Sequence, residues 1–109
     1  MATTYKVLGQ SNASAKTATT LYTVPSATQA VVSTIVIANQ TASAATFRIA
    51  IRPAGASLSA QHYVAYDITV GASDSTALTL GITLGATDVI TVYASTATLS
   101  FAAFGSEIA

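Results

Sequence analysis

One histidine, four carboxylates and four basic side chains, with five tyrosines, are all that this 109-residue chain offers for acid–base or ionic chemistry. His62 opens an alternating segment beside Tyr63. Serines are plentiful, so a Ser-His-Asp set can be assembled on paper, but no G-x-S-x-G elbow presents a nucleophile. A lone histidine at a strand start reads as a hydrogen-bonded structural residue. Among the carboxylates Asp67, Asp74, Asp88 and Glu107, two fall in turn sequences, "GASDS" and "GATDVI", where an Asp side chain accepts bonds from nearby backbone N–H groups. A calcium loop needs several converging oxygens, and neither turn has a second carboxylate. No carboxylate spacing recommends glycoside hydrolysis. No catalytic, cofactor-binding or metal-ligating residue is assigned, and the chain reads as a non-enzyme. Asn12 in "NAS" and Asn39 in "NQT" match the glycosylation sequon, as a Ser/Thr-rich chain does by chance.

The basic residues carry more information. Lys6 and Lys16 stand apart, whereas Arg48 and Arg52 share one short segment, "ATFRIAIRPAG". There Phe47, Ile49 and Ile51 alternate with Thr46, Arg48, Ala50 and Arg52, so both arginines occupy the polar face of a strand that Pro53 and Gly55 end. Asp67 lies on the polar face of the next alternating segment, 62–70, together with Tyr63. If the two strands pair, Arg48 and Asp67 meet across the sheet. An exposed pair of this kind is worth little. On so neutral a chain the arrangement reads instead as an interface, where arginine is enriched and forks onto carboxylates or carbonyls. Arg48, Arg52, Asp67 and Tyr63 are the candidate interface residues. Tyr22, Tyr63 and Tyr93 are the aromatics that would serve a sugar-binding surface, although tryptophan is absent.

The composition explains why so few ionic groups matter. Hydrophobic residues make up 51% and charged residues 7%, and the formal net charge is zero. An ordinary domain is about 25% charged. Alanine, threonine and serine replace the missing charge, and zero net charge removes the usual protection against self-association. Much of the exterior is expected to be covered by other protein, as a homo-oligomer or against other partners. Four dispersed cations cannot form a nucleic-acid footprint. No apolar run approaches the ~20 residues of a membrane span, and "MATTYKVLGQ" lacks the pattern of a secretory signal. The lack of cysteine excludes disulfides and suits folding in a reducing cytoplasm.

The elements that must position these residues are strands. Apolar residues follow period two and β-branched types dominate. The expected segments are "TYKVLGQ" as a short strand or arm, then 20–24, 29–39, 44–52, 62–70, 76–84, 89–95 and 97–105, with turn signals between them. Residues 1–19 form the strand or arm and a polar loop that a partner would order; residues 20–109 form the domain. Segment 29–39 is apolar on both faces, with Val31, Ile35 and Ile37 opposite Val32, Val36 and Ala38, and is expected to be central and covered on both sides. In 62–70 the expected inward set is Val64, Tyr66, Ile68 and Val70. In 76–84 Leu78, Leu80, Ile82 and Leu84 share a face, and Gly81 marks a bulge or bend. Ser95-Thr96 reads as the hairpin joining the last two strands. The fold class is all-β: one antiparallel β-sandwich of seven or eight strands, immunoglobulin-like or jelly-roll.

Two long stretches, "TLYTVPSATQAVVSTIVIANQTASAATFRIAIRPAG" and "LTLGITLGATDVITVYASTATLSFAAFGSEI", resemble small virion structural proteins of tailed double-stranded DNA bacteriophages, particularly those of cyanobacteria and other aquatic bacteria. The resemblance covers nearly the whole chain past residue 19. It implies a non-enzymatic β-sandwich building block, made in the bacterial cytoplasm and placed in the virion. The place would be as capsid cement or as a neck, tail or fibre component, with other virion proteins as partners. A receptor- or carbohydrate-binding module at a fibre tip is the alternative.

Overall fold

The computed structural model describes residues 2–109. Nine strands form in order: β1 Thr3–Ser11, β2 Thr19–Thr23, β3 Gln29–Asn39, β4 Ala45–Arg52, β5 Tyr63–Val70, β6 Ser75–Leu78, β7 Ile82–Leu84, β8 Val89–Ala94 and β9 Leu99–Ile108. Two short 3-10 turns, Pro53–Gly55 and Ala60–His62, lie between β4 and β5. All strand pairings are antiparallel.

Sheet I has the order β1-β9-β3-β6, with β7 also on β3, and sheet II the order β2-β8-β4-β5. The strands β6 and β7 occupy one lane along β3: Leu78 faces Ile35, and Ile82 faces Val32. Counted by lanes, the chain therefore gives eight positions, ordered 1-8-3-6 and 2-7-4-5, with successive strands crossing repeatedly between the sheets. That is jelly-roll connectivity and not the immunoglobulin order.

The core lies between the sheets. Ala30, Val32, Ile35 and Ile37 of β3 and Leu99, Phe101 and Ala103 of β9 meet Phe47 and Ile49 of β4 and Ile90, Val92 and Ala94 of β8. At the centre the rings of Phe47 and Phe101 pack edge to face, with centroids 6.3 Å apart.

A line of irregularities crosses sheet I. The register shifts between Val7 and Gly9 in β1 and between Val32 and Thr34 in β3, and the β6–β7 lane is interrupted at Gly81, which has a positive φ of 64°. All three lie near Phe104 and Gly105 of β9 or beside β3 at Ser33. A bulge inserts one residue and so switches which side chains face inward. This corrects three expectations. In β3, Val32 joins Ile35 and Ile37 inside, whereas Val31 goes outside with Val36 and Ala38. Segment 76–84 is two strands, and Leu80 between them is exposed. In β5 the register slips twice, around Asp67, whose φ is 52°, and again between Ala65 and Tyr63, so Ala65 is buried while Val64 and Tyr66 are exposed; Ile68 and Val70 keep the register of the buried Phe47 and Ala45, with Ile68 part-exposed at the sheet edge.

One further expectation changes. The strands β8 and β9 lie in different sheets, so Ser95-Thr96 is a crossing and not a hairpin. The Ser95 N–H donates to the Thr46 carbonyl, and the Gln40 N–H donates to the Thr98 carbonyl, which ties the crossing to both sheets. Of the two readings of the first segment, a strand or an arm, the structure has the strand: residues 3–11 pair along β9. The polar loop after it is held as well: Ala13 is buried, the Lys16 N–H donates to the Ala94 carbonyl, and Asn12 Nδ2 donates to the carbonyls of Ala97 and Leu99.

The turns hold their expected chemistry. In 71–74 and 85–88 the Asp N–H donates to the carbonyl of the leading glycine, Gly71 or Gly85. Asp74 Oδ1 accepts from the Ser75 N–H, and Asp88 accepts from the N–H groups of Gly85 and Ala54. The second bond of Asp88 fixes the Pro53–Gly55 turn against the start of β8.

Candidate functional site

Strands β4 and β5 pair as expected, and Arg48 meets Asp67. Arg48 Nε donates to Asp67 Oδ1 at 2.6 Å and Nη2 to Oδ2 at 3.3 Å, a two-point fork. The Asp67 bond holds the guanidinium charged, its pKa raised above the ordinary arginine value. The guanidinium carbon also lies 4.1 Å from the Tyr66 ring centroid and 4.3 Å from that of Tyr93. Both distances are within cation–π range. Tyr63 packs edge to face on Tyr66, with centroids 5.0 Å apart. The outer face of sheet II thus carries a cluster of Arg48, Asp67, Tyr63, Tyr66 and Tyr93.

The bulge at Asp67 makes this cluster. It turns Tyr66 onto the outer face and directs the Asp67 carboxylate back over β4. Beside the cluster a recess of about 610 Å3 is lined by Leu58, Ser59, Ala60, Tyr63 and Tyr66. Its floor is the β4–β5 connection. Sequence reasoning puts Tyr66 inside by strict alternation; Asp67 fits that alternation, and its tolerance of positive φ is a weak signal of the bulge.

Arg52 does not join the cluster. It lies opposite Val89, and its Nε is buried without a hydrogen-bond partner, as is Thr91 Oγ1 on the neighbouring strand. Tyr22 is not an exposed aromatic. It is 7% accessible, and its hydroxyl donates to Glu107 Oε2 at 2.5 Å across the two sheets. Lys6 Nζ donates to the other oxygen, Oε1, at 3.2 Å. Burial and the carboxylate raise the Tyr22 pKa, and the tyrosine bond in turn lowers that of Glu107. This Tyr22–Glu107–Lys6 relay, which joins residues 6, 22 and 107, leaves no trace in local sequence.

His62 is buried, and its Nδ1 accepts the Ser59 N–H at 3.1 Å, which closes the Ala60–His62 turn. Asn39 is buried too, and its Nδ2 donates to the carbonyls of Ser43, Val70 and Gly71. Among the described residues no three His, Cys, Asp or Glu side chains converge as a metal site, and no helix is long and apolar enough to cross a membrane.

The outer face of sheet I differs in character. Tyr5 and Val7 of β1, Ala102, Phe104 and Ser106 of β9, and Val31, Val36 and Ala38 of β3 share it by register. Tyr5 is 84% exposed and Val7 47%. Lys6 points to the other side, toward Glu107. Two shallow recesses mark this face, one of about 570 Å3 that includes Tyr5, Val7, Val31 and Phe104, the other of about 420 Å3 that includes Val36, Ala38 and Ala102. Most side chains there are apolar or small and hydroxylic; Lys6 borders the first recess, and Gln10 and Asn12 border the second.

No family model matches the chain, and neither a curated protein nor a solved structure matches it.

Proposed function

We propose that the chain is a non-enzymatic building block of a tailed bacteriophage particle, a capsid cement or decoration protein or a neck, tail or fibre component. It is made in the bacterial cytoplasm and placed in the virion, and it assembles through neutral sheet faces and edges. The observation that carries this reading is the outer face of sheet I. The central strand β3 presents Val31, Val36 and Ala38 there, half-buried and uncovered by any other part of the described chain. Exposed apolar surface of this kind suits burial against protein. The jelly-roll order adds support at the level of fold analogy, since capsid proteins use that architecture, although lectins do so too.

One observation favours the alternative of a carbohydrate- or receptor-binding module. Tyr66 is 55% exposed at the mouth of a recess that polar Ser59 also lines. Tyr66, packed edge to face with Tyr63 beside the carboxylate that Arg48 holds, offers exposed aromatic surface for a sugar ring.

Light scattering across a concentration series is the test. A discrete oligomer supports the structural reading. Arg48→Ala should then weaken assembly; because it also removes the fork to Asp67 and two cation–π contacts, a modest fall in melting temperature accompanies it. A monomer that captures no capsid or tail protein, and whose glycan binding is lost in Tyr66→Ala, would favour the alternative.

A further inference from the structure

Four strand edges border the two sheets: β1 and the β6–β7 lane in sheet I, β2 and β5 in sheet II. Unpaired edges invite pairing with another chain, and proteins guard them with short strands, bulges and breaks. Three edges here are guarded. The β6–β7 lane is split into pieces of 4 and 3 residues. Strand β2 has 5 residues and a register shift between Thr20 and Tyr22. Strand β5 bulges at Asp67. Strand β1 also has a bulge, at Leu8, and an edge charge, Lys6, but ahead of the bulge it keeps the longest regular run of the four edges, Thr3 to Val7, and every residue of that run is exposed.

The direction of its free backbone groups follows from the register. Ala2 and Ala109 exchange both backbone bonds, Ala2 N–H to the Ala109 carbonyl at 2.7 Å and Ala109 N–H to the Ala2 carbonyl at 3.0 Å. In an antiparallel ladder such pairs alternate with non-bonded ones. Residues 2, 4 and 6 therefore bond β9, and Thr3, Tyr5 and Val7 direct their N–H and C=O groups outward.

We propose that β1 pairs antiparallel with β1 of a second copy across a two-fold axis at Tyr5, so that sheet I runs continuously through a dimer. The inference rests on the reading of the chain as an assembling subunit and names the surface it uses. Among the registers that pair Val7 with a residue of β1, charge and geometry select one. Pairing Tyr5 with Val7 would set Lys6 directly against Lys6 of the second copy, and like charges opposite each other destabilise a ladder. Pairing Val7 with Val7 would bring the bulge at Leu8 into the ladder. Pairing Tyr5 with Tyr5 sets Thr3 against Val7 and Lys6 against Thr4, and avoids both. The facing tyrosines then form an aromatic cross-strand pair on the uncharged outer face, continuous with Val7, Val31 and Phe104. An isologous contact of this kind closes on itself. It is small, so dimerisation is expected between roughly 10 µM and 1 mM.

The cysteine-free chain makes the test direct. Tyr5→Pro removes an N–H that bonds nothing within the subunit, so it should leave the melting temperature nearly unchanged and shift dimerisation at least tenfold to higher concentration. Tyr5→Cys should cross-link to itself on mild oxidation, because bonded partners lie about 5.5 Å apart at Cα, within disulfide reach. Val7→Cys should cross-link to Thr3→Cys but not to itself. An oligomer that Tyr5→Pro leaves intact and Tyr5→Cys fails to cross-link would overturn the β1 pairing while the assembly reading stands. A wild-type monomer at about 1 mM overturns the pairing; if it also captures no capsid or tail protein, the assembly reading fails with it.

Discussion

Asn39 and Glu107 do their work through bonds that connect distant parts of the chain. The Asn39 amide satisfies three carbonyls around the β5–β6 turn, and its Oδ1 accepts the Thr41 N–H at 3.1 Å. Asn39→Ala should strand the buried Val70 carbonyl and cost about 1–3 kcal/mol, read as a lower denaturation midpoint. Glu107 behaves differently, because its contribution depends on pH. Tyr22 and Lys6 stabilise its ionised form, so its folded pKa is depressed. A depressed carboxylate adds stability above its unfolded pKa and loses it as pH falls through the folded value. Melting temperature should therefore hold from neutral pH down to about 4.5, the ordinary glutamate range, and decline below it. Glu107→Gln should lower the neutral-pH plateau and flatten that acid limb; an unchanged acid limb would remove Glu107 from the account.

Element by element, bulges decide which residues reach which face. Their glycines do different jobs. A Cβ at Gly105 would strike the Val31 carbonyl on the next strand, and one at Gly9 would strike the Leu21 carbonyl of the other sheet. Gly81 has no atom within 4 Å of such a Cβ, but its φ is 64°. Gly105→Ala must push the β3–β9 ladder apart, at a cost of about 1–3 kcal/mol or more. Gly81→Ala meets only backbone strain, at about 1 kcal/mol. Chemical denaturation of the two variants should rank them in that order. The reverse order would mean that the bend at Gly81, rather than the close approach at Gly105, holds sheet I in shape.

The molecule as a whole is a slab, 45 by 27 by 19 Å, in which the first strand is structural. Deleting residues 1–16 would remove β1, the buried Leu8 and Ala13, and the whole β1–β9 ladder. It would also bare β9 as a new edge. Loss of the cooperative melt by circular dichroism is the expected outcome. A folded, soluble truncation would instead assign this segment to assembly alone.

Period-two alternation, β-branched residues and turn sequences determine the all-β class, the strand locations and the pairing of Arg48 with Asp67. These are local properties, and a strand writes them every second residue. The Asp74 and Asp88 turns were legible for the same reason. What needed the tertiary structure was everything that depends on which strands become neighbours. Alternation carries no record of sheet membership, so β8 and β9 looked like a hairpin although they face each other across the core. A bulge adds a single residue and inverts every later side chain, so Val31, Tyr66 and Leu80 were misassigned by otherwise sound counting. The tyrosine cluster on Arg48, the Tyr22–Glu107–Lys6 relay and the free edge of β1 exist only once distant segments are brought together, because hydrogen bonds and ring contacts act over a few ångströms of space and not along the chain.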